Sequence, residues 1–379
     1  MEFNLKTEDL ITGVSVVERT VATRSTLPII GNILFEAQKG ELKLSANNLE
    51  MGVEVRIPAE VKGSGSILIP AKTLGGIVPK LPKGDIAFKV SEKGMVKISY
   101  KESSFSIHGL PADEFPALPK VKEGKTFYLN TADFLKMVKK TIFAVSASED
   151  KYVLSGVLLE VGKTKDTHDT SNLRMIATDG YRLARVAAKI DGLENITCSA
   201  IVPAKALSEF SKIVQQKEDK IKIMISTDQI AFEHSNAYLV SRLIQGQFPD
   251  YRQVMPKKAE IKTLLPADQF LDAAERTAVI AGGSANVVKI EIAGKKVHLV
   301  ANTPDVGSVD EVILAEVSGG EKTQIAFNIK LIIDALKAID TEQVELELSG
   351  PLSPGIMKPV GGEDFLYITM PIRTQETAS

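Results

Sequence analysis

The sequence predicts an α+β protein built from three tandem copies of one module, each with two helices packed on antiparallel sheets. Three observations lead there. At 379 residues the chain exceeds the size at which one hydrophobic core keeps growing, so two or three domains are expected. Its strands read as short alternating or β-branched runs separated by Gly, Asn and Pro turns, without regular strand–helix alternation, which favours antiparallel sheets with helices on one face. Finally, Ile69-Pro70-Ala71-Lys72, Val202-Pro203-Ala204-Lys205 and Phe327-Asn328-Ile329-Lys330 are similar lead-ins, spaced at close to a third of the chain. Such a spacing marks an internal repeat.

Each copy opens with an amphipathic helix, predicted over residues 8–23, 132–146 and 267–281. In the first, Leu10, Ile11, Val14, Val17 and Val21 form one apolar stripe. Thr7 reads as its N-cap, and Glu8 and Asp9 suit the positive end of the helix dipole. In the second, Phe134, Val138, Ile142 and Val145 face inward, which puts Lys136, Lys139 and Lys140 on the exposed side. A strand pair follows each helix, with second members over 42–47, 174–178 and 297–302. The later helices bury Leu207, Phe210, Ile213 and Val214, or Leu331, Ile332, Leu336 and Ile339. That leaves Lys205, Lys212, Lys330 and Lys337 outward. The middle copy is longer by a polar insert, 162–172. Loosened composition sets domains at 1–122, 123–256 and 257–373, followed by a polar tail, 374–379.

Composition limits the function. A hydrophobic share of 44% with 25% charged residues is ordinary for a soluble globular protein. No run reaches the roughly 18 apolar residues that span a bilayer, and the N-terminus lacks a basic start followed by an apolar run. No membrane is expected. Cys198 is the lone cysteine, which fits a reducing compartment and a cytoplasmic location. The net charge of −2 argues against a tight grip on phosphates, for which a strongly basic domain is the rule. The outward lysines still permit a mildly positive surface on an acidic body, able to attract phosphates without gripping them.

No catalytic constellation emerges. His108, His168, His234 and His298 lie far apart, no HExxH pair or cysteine cluster offers a metal site, and neither a GxGxxG fingerprint, a phosphate loop nor a GxSxG elbow is present. Neither a cofactor nor a metal is expected. The best carboxylate, Asp179 in Ala177-Thr178-Asp179-Gly180-Tyr181-Arg182, is explained as an Asp-Gly hairpin turn. Two rival readings are an enzyme using Asp179 and a monomeric peptide-binding scaffold without a DNA role.

Ala177-Thr178-Asp179-Gly180-Tyr181-Arg182-Leu183-Ala184 resembles the ATDGHRLA segment of bacterial DNA polymerase III β sliding clamps, and Gln247-Phe248-Pro249-Asp250-Tyr251-Arg252 resembles their FPDYR segment. Thr26-Leu27-Pro28-Ile29, Gly109-Leu110-Pro111-Ala112-Asp113-Glu114-Phe115-Pro116 and Met370-Pro371-Ile372-Arg373 are similar to further family segments, so the likeness spans the whole chain. It implies three DNA-clamp domains per chain and a ring-forming homodimer around duplex DNA, bound without regard to sequence. It also implies an accessory processivity factor for a replicative DNA polymerase rather than an enzyme. Partners would be that polymerase, the clamp loader and repair proteins, each bringing a short peptide, usually a glutamine followed by leucine and an aromatic.

Carried over position by position, the resemblance implies a peptide pocket of Leu154, Thr178, Gly180, Tyr181, Arg182, Leu183, Pro249, Val254, Ile368, Met370, Pro371, Ile372 and Arg373. It matches Arg24, Lys72, Tyr152 and Lys205 to DNA-facing positions, to which the outward lysines Lys136, Lys140, Lys212 and Lys337 are added. It places the dimer interface at Phe105 and Ile107 on one edge strand and at Val279 and Ile280. The chain departs from the family at Tyr181, often a histidine, at Gln253, an arginine in some members, and at Thr369, where an apolar residue is usual. The peptide preference is therefore open.

Overall fold

The structure, a computed structural model, describes residues 1–22, 27–162, 170–214, 220–255, 259–320 and 322–373. Arg24, Thr26, His168, most of the polar insert and the tail 374–379 lie outside the described residues. Each copy builds two kinds of strand run. One kind is ordered Gly65–Pro70, Asn32–Gln38, Glu41–Asn47, Met51–Pro58 in the first copy. Its counterparts are Cys198–Pro203, Gly156–Val161, Leu173–Thr178, Arg182–Ala188, and then Lys322–Asn328, Val287–Ala293, Lys296–Thr303, Gly307–Leu314. The other kind is ordered Glu2–Lys6, Asp85–Val90, Met95–Tyr100, Ser103–His108. Its counterparts are Lys125–Asn130, Lys220–Ile225, Gln229–His234, Ala237–Arg242, and Ile261–Pro266, Gln343–Leu348, Gly355–Pro359, Asp364–Thr369.

Two junctions fuse these runs edge to edge. Met51–Pro58 pairs antiparallel with Ala237–Arg242, and Arg182–Ala188 pairs antiparallel with Asp364–Thr369. Two strands of the same kinds stay at sheet edges among the described residues: Ser103–His108 and Gly307–Leu314. The middle copy thus divides its strands between two compact units. One comprises residues 1–135 with 205–243, the other 136–204 with 244–379.

The helices are α1 (Thr7–Glu18), α2 (Ala71–Ile77), α3 (Thr131–Lys139), α4 (Ala204–Ile213), α5 (Ala267–Ala281) and α6 (Ile329–Ala338). In the first unit Leu10, Val14 and Val17 of α1 are buried. The Phe210 ring stacks on Phe232 at 4.8 Å and meets the edge of Phe134 at 5.7 Å. Each such side chain contributes about 1.5–3 kcal/mol by leaving water. The second unit has a core of Leu158, Ile176, Leu183, Ile201, Ile244, Tyr251, Ile356, Leu366 and Ile368.

Several local expectations need correction. α1 stops at Glu18 rather than 23, and the apolar run after α3 breaks into one 3-10 turn, Ile142–Ala144. Thr7 is not the cap: it is the first helical residue, fully buried, and its amide and hydroxyl both donate to the Gly84 carbonyl, at 2.9 and 3.0 Å. Lys140 is not an exposed cation but a buried one, its side chain 3% exposed. It pairs with Glu363 at 2.8 Å and Asp340 at 3.6 Å, with its ammonium 5.6 Å from the Phe365 ring centre. Helical periodicity cannot reveal two carboxylates more than a hundred residues downstream that wait on that face.

Candidate functional site: a groove beside the Asp179 turn

The strands Leu173–Thr178 and Arg182–Ala188 pair in register, Thr178 opposite Leu183, and the chain between them makes the turn anticipated from Asp-Gly. Asp179 Oδ1 accepts from the amides of Tyr181 (2.8 Å) and Arg182 (3.0 Å), and Thr178 Oγ1 accepts from Gly180 N at 3.1 Å. Gly180 takes φ +92°, a left-handed conformation that glycine adopts without the Cβ penalty. The carboxylate of Asp179 is thereby spent on the turn, as its assignment to a hairpin requires.

Beside this turn lies a groove of about 140 Å³. Leu154, Thr178, Gly180, Tyr181, Arg182, Leu183, Pro249, Val254, Ile368 and Met370, ten of the thirteen candidates, line it, and Asp250 and Tyr251 complete it. The junction register explains the convergence. Leu183 faces Ile368 and Arg182 faces Thr369, while Met370 N donates to Tyr181 O at 2.8 Å. Leu183 and Ile368 are buried and form the floor, whereas Tyr181, Val254 and Met370 stay exposed at the rim. An apolar trough with a few fixed polar groups suits a short peptide.

Tyr251 was within reach of the sequence, since it stands in the quoted FPDYR-like segment. Burial, then the neighbouring Glu160 carboxylate, pushes its phenol up to about 12, and its hydroxyl donates to Glu160 Oε2 at 3.0 Å. It stays neutral and packs under the groove. Pro371, Ile372 and Arg373 do not line the groove. The chain leaves it after Met370, and Ile372 N donates to Ala326 O at 2.8 Å instead. Arg182 lines the groove, yet its guanidinium is not offered to a ligand. It donates to Asp179 Oδ2 (3.0 Å), Asp334 Oδ2 (2.6 Å) and the Phe143 carbonyl (2.6 Å).

Among the positively charged candidates, Lys72 and Lys205 are exposed and carry no ion pair with a described residue, and Tyr152 is exposed. Lys136 is paired with Glu363, Lys212 with Glu209 and Lys337 with Glu275. Lys330 holds the same position in α6 as Lys72 in α2 and Lys205 in α4, is likewise exposed, and joins them. At the edge strand Ser103–His108, Phe105 is exposed, but Ile107 is buried in its own sheet. Val279 on α5 is 75% exposed. Ile280 is half-buried, and its carbonyl accepts from Thr303.

Residues 1–119, 128–250 and 252–373 match, in order, the N-terminal, central and C-terminal domains of the DNA polymerase III beta subunit. The beta sliding clamp of Staphylococcus aureus is 32% identical over 99% of this chain and all of its own length. A DNA polymerase sliding clamp from Bacillus subtilis superposes with a TM-score of 0.92 at 29% identity, covering 99% of both chains. A sliding clamp from Pseudomonas aeruginosa bound to griselimycin gives 0.92 at 27% identity, covering 99% of this chain and all of the other. With its three tandem modules and no catalytic role, the chain belongs to the bacterial DNA polymerase III beta subunit family, the sliding clamps that act as accessory proteins of the replicative polymerase.

Proposed function

We propose that two chains close head to tail into a ring around duplex DNA and tether the polymerase, the clamp loader and repair proteins through the groove beside Asp179. One observation supports the closure above all. The same junction occurs twice within the chain, and the strands left at sheet edges, Ser103–His108 and Gly307–Leu314, are the two halves of a third. Open edges are a liability unless paired. These carry exposed Phe105 on one side and exposed Val312 and Leu314 on the other, with exposed Val279 on α5, the helix that packs against Gly307–Leu314. A contact between unlike surfaces closes only at the correct rotation, and three modules per chain give six in a pair.

Sedimentation equilibrium tests this. The wild type should run at twice the chain mass, and Phe105→Arg with Leu314→Asp should run as the single chain with an unchanged far-UV spectrum. A monomeric wild type would overturn the ring and favour a scaffold without a DNA role. For the groove, Val254→Arg should weaken griselimycin, a ligand of the Pseudomonas relative, by more than tenfold in a titration while leaving the dimer intact; unchanged affinity would refute the assignment. The domain limits 1–122, 123–256 and 257–373 and a cytoplasmic site of action belong to the same reading.

A further inference from the structure

We infer that the first unit carries a second peptide groove, built on the turn Asn47–Met51 and suited to a short segment with an apolar side chain and one carboxylate. The inference rests on the peptide reading of the Asp179 groove. The two turns agree atom by atom. Asn48 Oδ1 accepts from the amides of Glu50 (3.0 Å) and Met51 (2.7 Å), as Asp179 Oδ1 does from Tyr181 and Arg182. Asn47 Oδ1 accepts from Leu49 N at 2.8 Å, where Thr178 Oγ1 accepts from Gly180 N. Arg242 N donates to Glu50 O at 2.9 Å, where Met370 N donates to Tyr181 O. The registers coincide, Gly52 opposite Val240 against Leu183 opposite Ile368, and a proline after a phenylalanine, Pro116 or Pro249, closes each.

What lies beside the turn is again a cavity, of about 350 Å³. Leu49, Met51, Pro116 and Val240 supply its apolar wall. Leu49 is 45% exposed and holds φ +73°, a conformation costly for a residue with a side chain, kept here with much of that side chain facing solvent. The chemistry then departs from the first groove at two positions. Arg242 replaces Met370, is exposed, and has no side-chain partner among the described residues. Its fork matches a carboxylate. Glu50 replaces Tyr181 and disfavours a second acid there, so the preferred segment has a single acidic residue.

Calorimetric titration of the full-length protein tests this with a synthetic peptide of glutamine, leucine, aspartate and phenylalanine, and with its asparagine counterpart. Wild type should bind two peptides per chain, the second about tenfold more weakly because polar Asn47, Glu50, Gln229 and Ser241 share its lining and Arg242 is exposed to solvent. Val254→Arg should leave only the weak site. Arg242→Glu, or the asparagine peptide, should leave only the strong one. A single site in wild type, removed by Val254→Arg and indifferent to Arg242→Glu, would overturn the inference. Binding that ignores Val254→Arg but is lost in Arg242→Glu would instead sink the first groove and leave the second standing.

Discussion

Arg182 shows how much of a groove's shape can depend on one side chain whose charged end is spent within the fold. Its guanidinium joins the Asp179 turn to Asp334 on α6 and to the Phe143 carbonyl, and its central carbon lies 5.5 Å from the centre of the Phe143 ring. Lysine has a single ammonium and cannot serve three acceptors in a planar fork. Arg182→Lys should cost about 2–3 kcal/mol in denaturant unfolding, the range for breaking a largely buried, hydrogen-bonded charge cluster. If the groove takes a peptide as proposed, Arg182→Lys should also weaken griselimycin by loosening the turn. Retained stability would show that the fork is ornamental. Leu49 makes the opposite case. Leu49→Gly relieves a left-handed leucine, and it should raise stability by up to about 1 kcal/mol after the unfolded-state entropy of glycine is counted. At this scale the turn chemistry of Asp179 and Gly180 was legible, because turns are local. The partners of Arg182 were not, since Asp334 lies 152 residues away.

Helices were the most legible elements, for an apolar stripe at helical spacing follows from burial on one side. Their ends were less so: nothing in the run through Val21 reports that α1 gives way after Glu18. Strands were legible as strands but not as neighbours. Pairing Met51–Pro58 with Ala237–Arg242 needs information from another copy, and the groove exists only because the equivalent pairing brings Ile368 to Leu183. The same cross-strand logic sets a charge ladder in the second unit. Glu347 stands opposite Lys262 and accepts from it at 2.6 Å, and from Lys358 at 2.9 Å. Burial opposes its ionisation, but the two ammonium groups outweigh burial and hold the carboxyl at about 2. A depressed acid binds fewer protons folded than unfolded, so its contribution is complete above the unfolded value near 4.5 and fades as pH falls toward 2. Glu347→Gln should therefore cost about 1–2 kcal/mol at pH 7 and almost nothing near pH 2. A deficit independent of pH would mean that packing, not charge, is lost.

Charge at the scale of the whole molecule separates two ways of staying on DNA. The chain carries a net −2, and Lys136, Lys139, Lys212 and Lys337 are each matched by a carboxylate within the fold. Lys72, Lys205 and Lys330 escape that neutralisation. Each is the second residue of its helix, where a cation opposes the helix dipole, so helix stability does not account for them. Three lysines at equivalent helix starts, unpaired among the described residues, would give weak affinity for duplex DNA with a shallow salt dependence, since each phosphate contact releases about one counterion. On the ring reading proposed above, long residence would then come from closure. Replacing all three by alanine should lower affinity for a short linear duplex and flatten its salt dependence. Protein loaded on a nicked circular plasmid should nevertheless persist equally well in wild type and variant, from about 0.1 to about 0.5 M salt. Cutting the plasmid should release both. If the variant instead left the intact circle faster, and salt stripped the wild type in step with its duplex affinity, residence would be governed by contact with phosphates. The weak charge would then be a defect of the clamp rather than the condition that lets it slide.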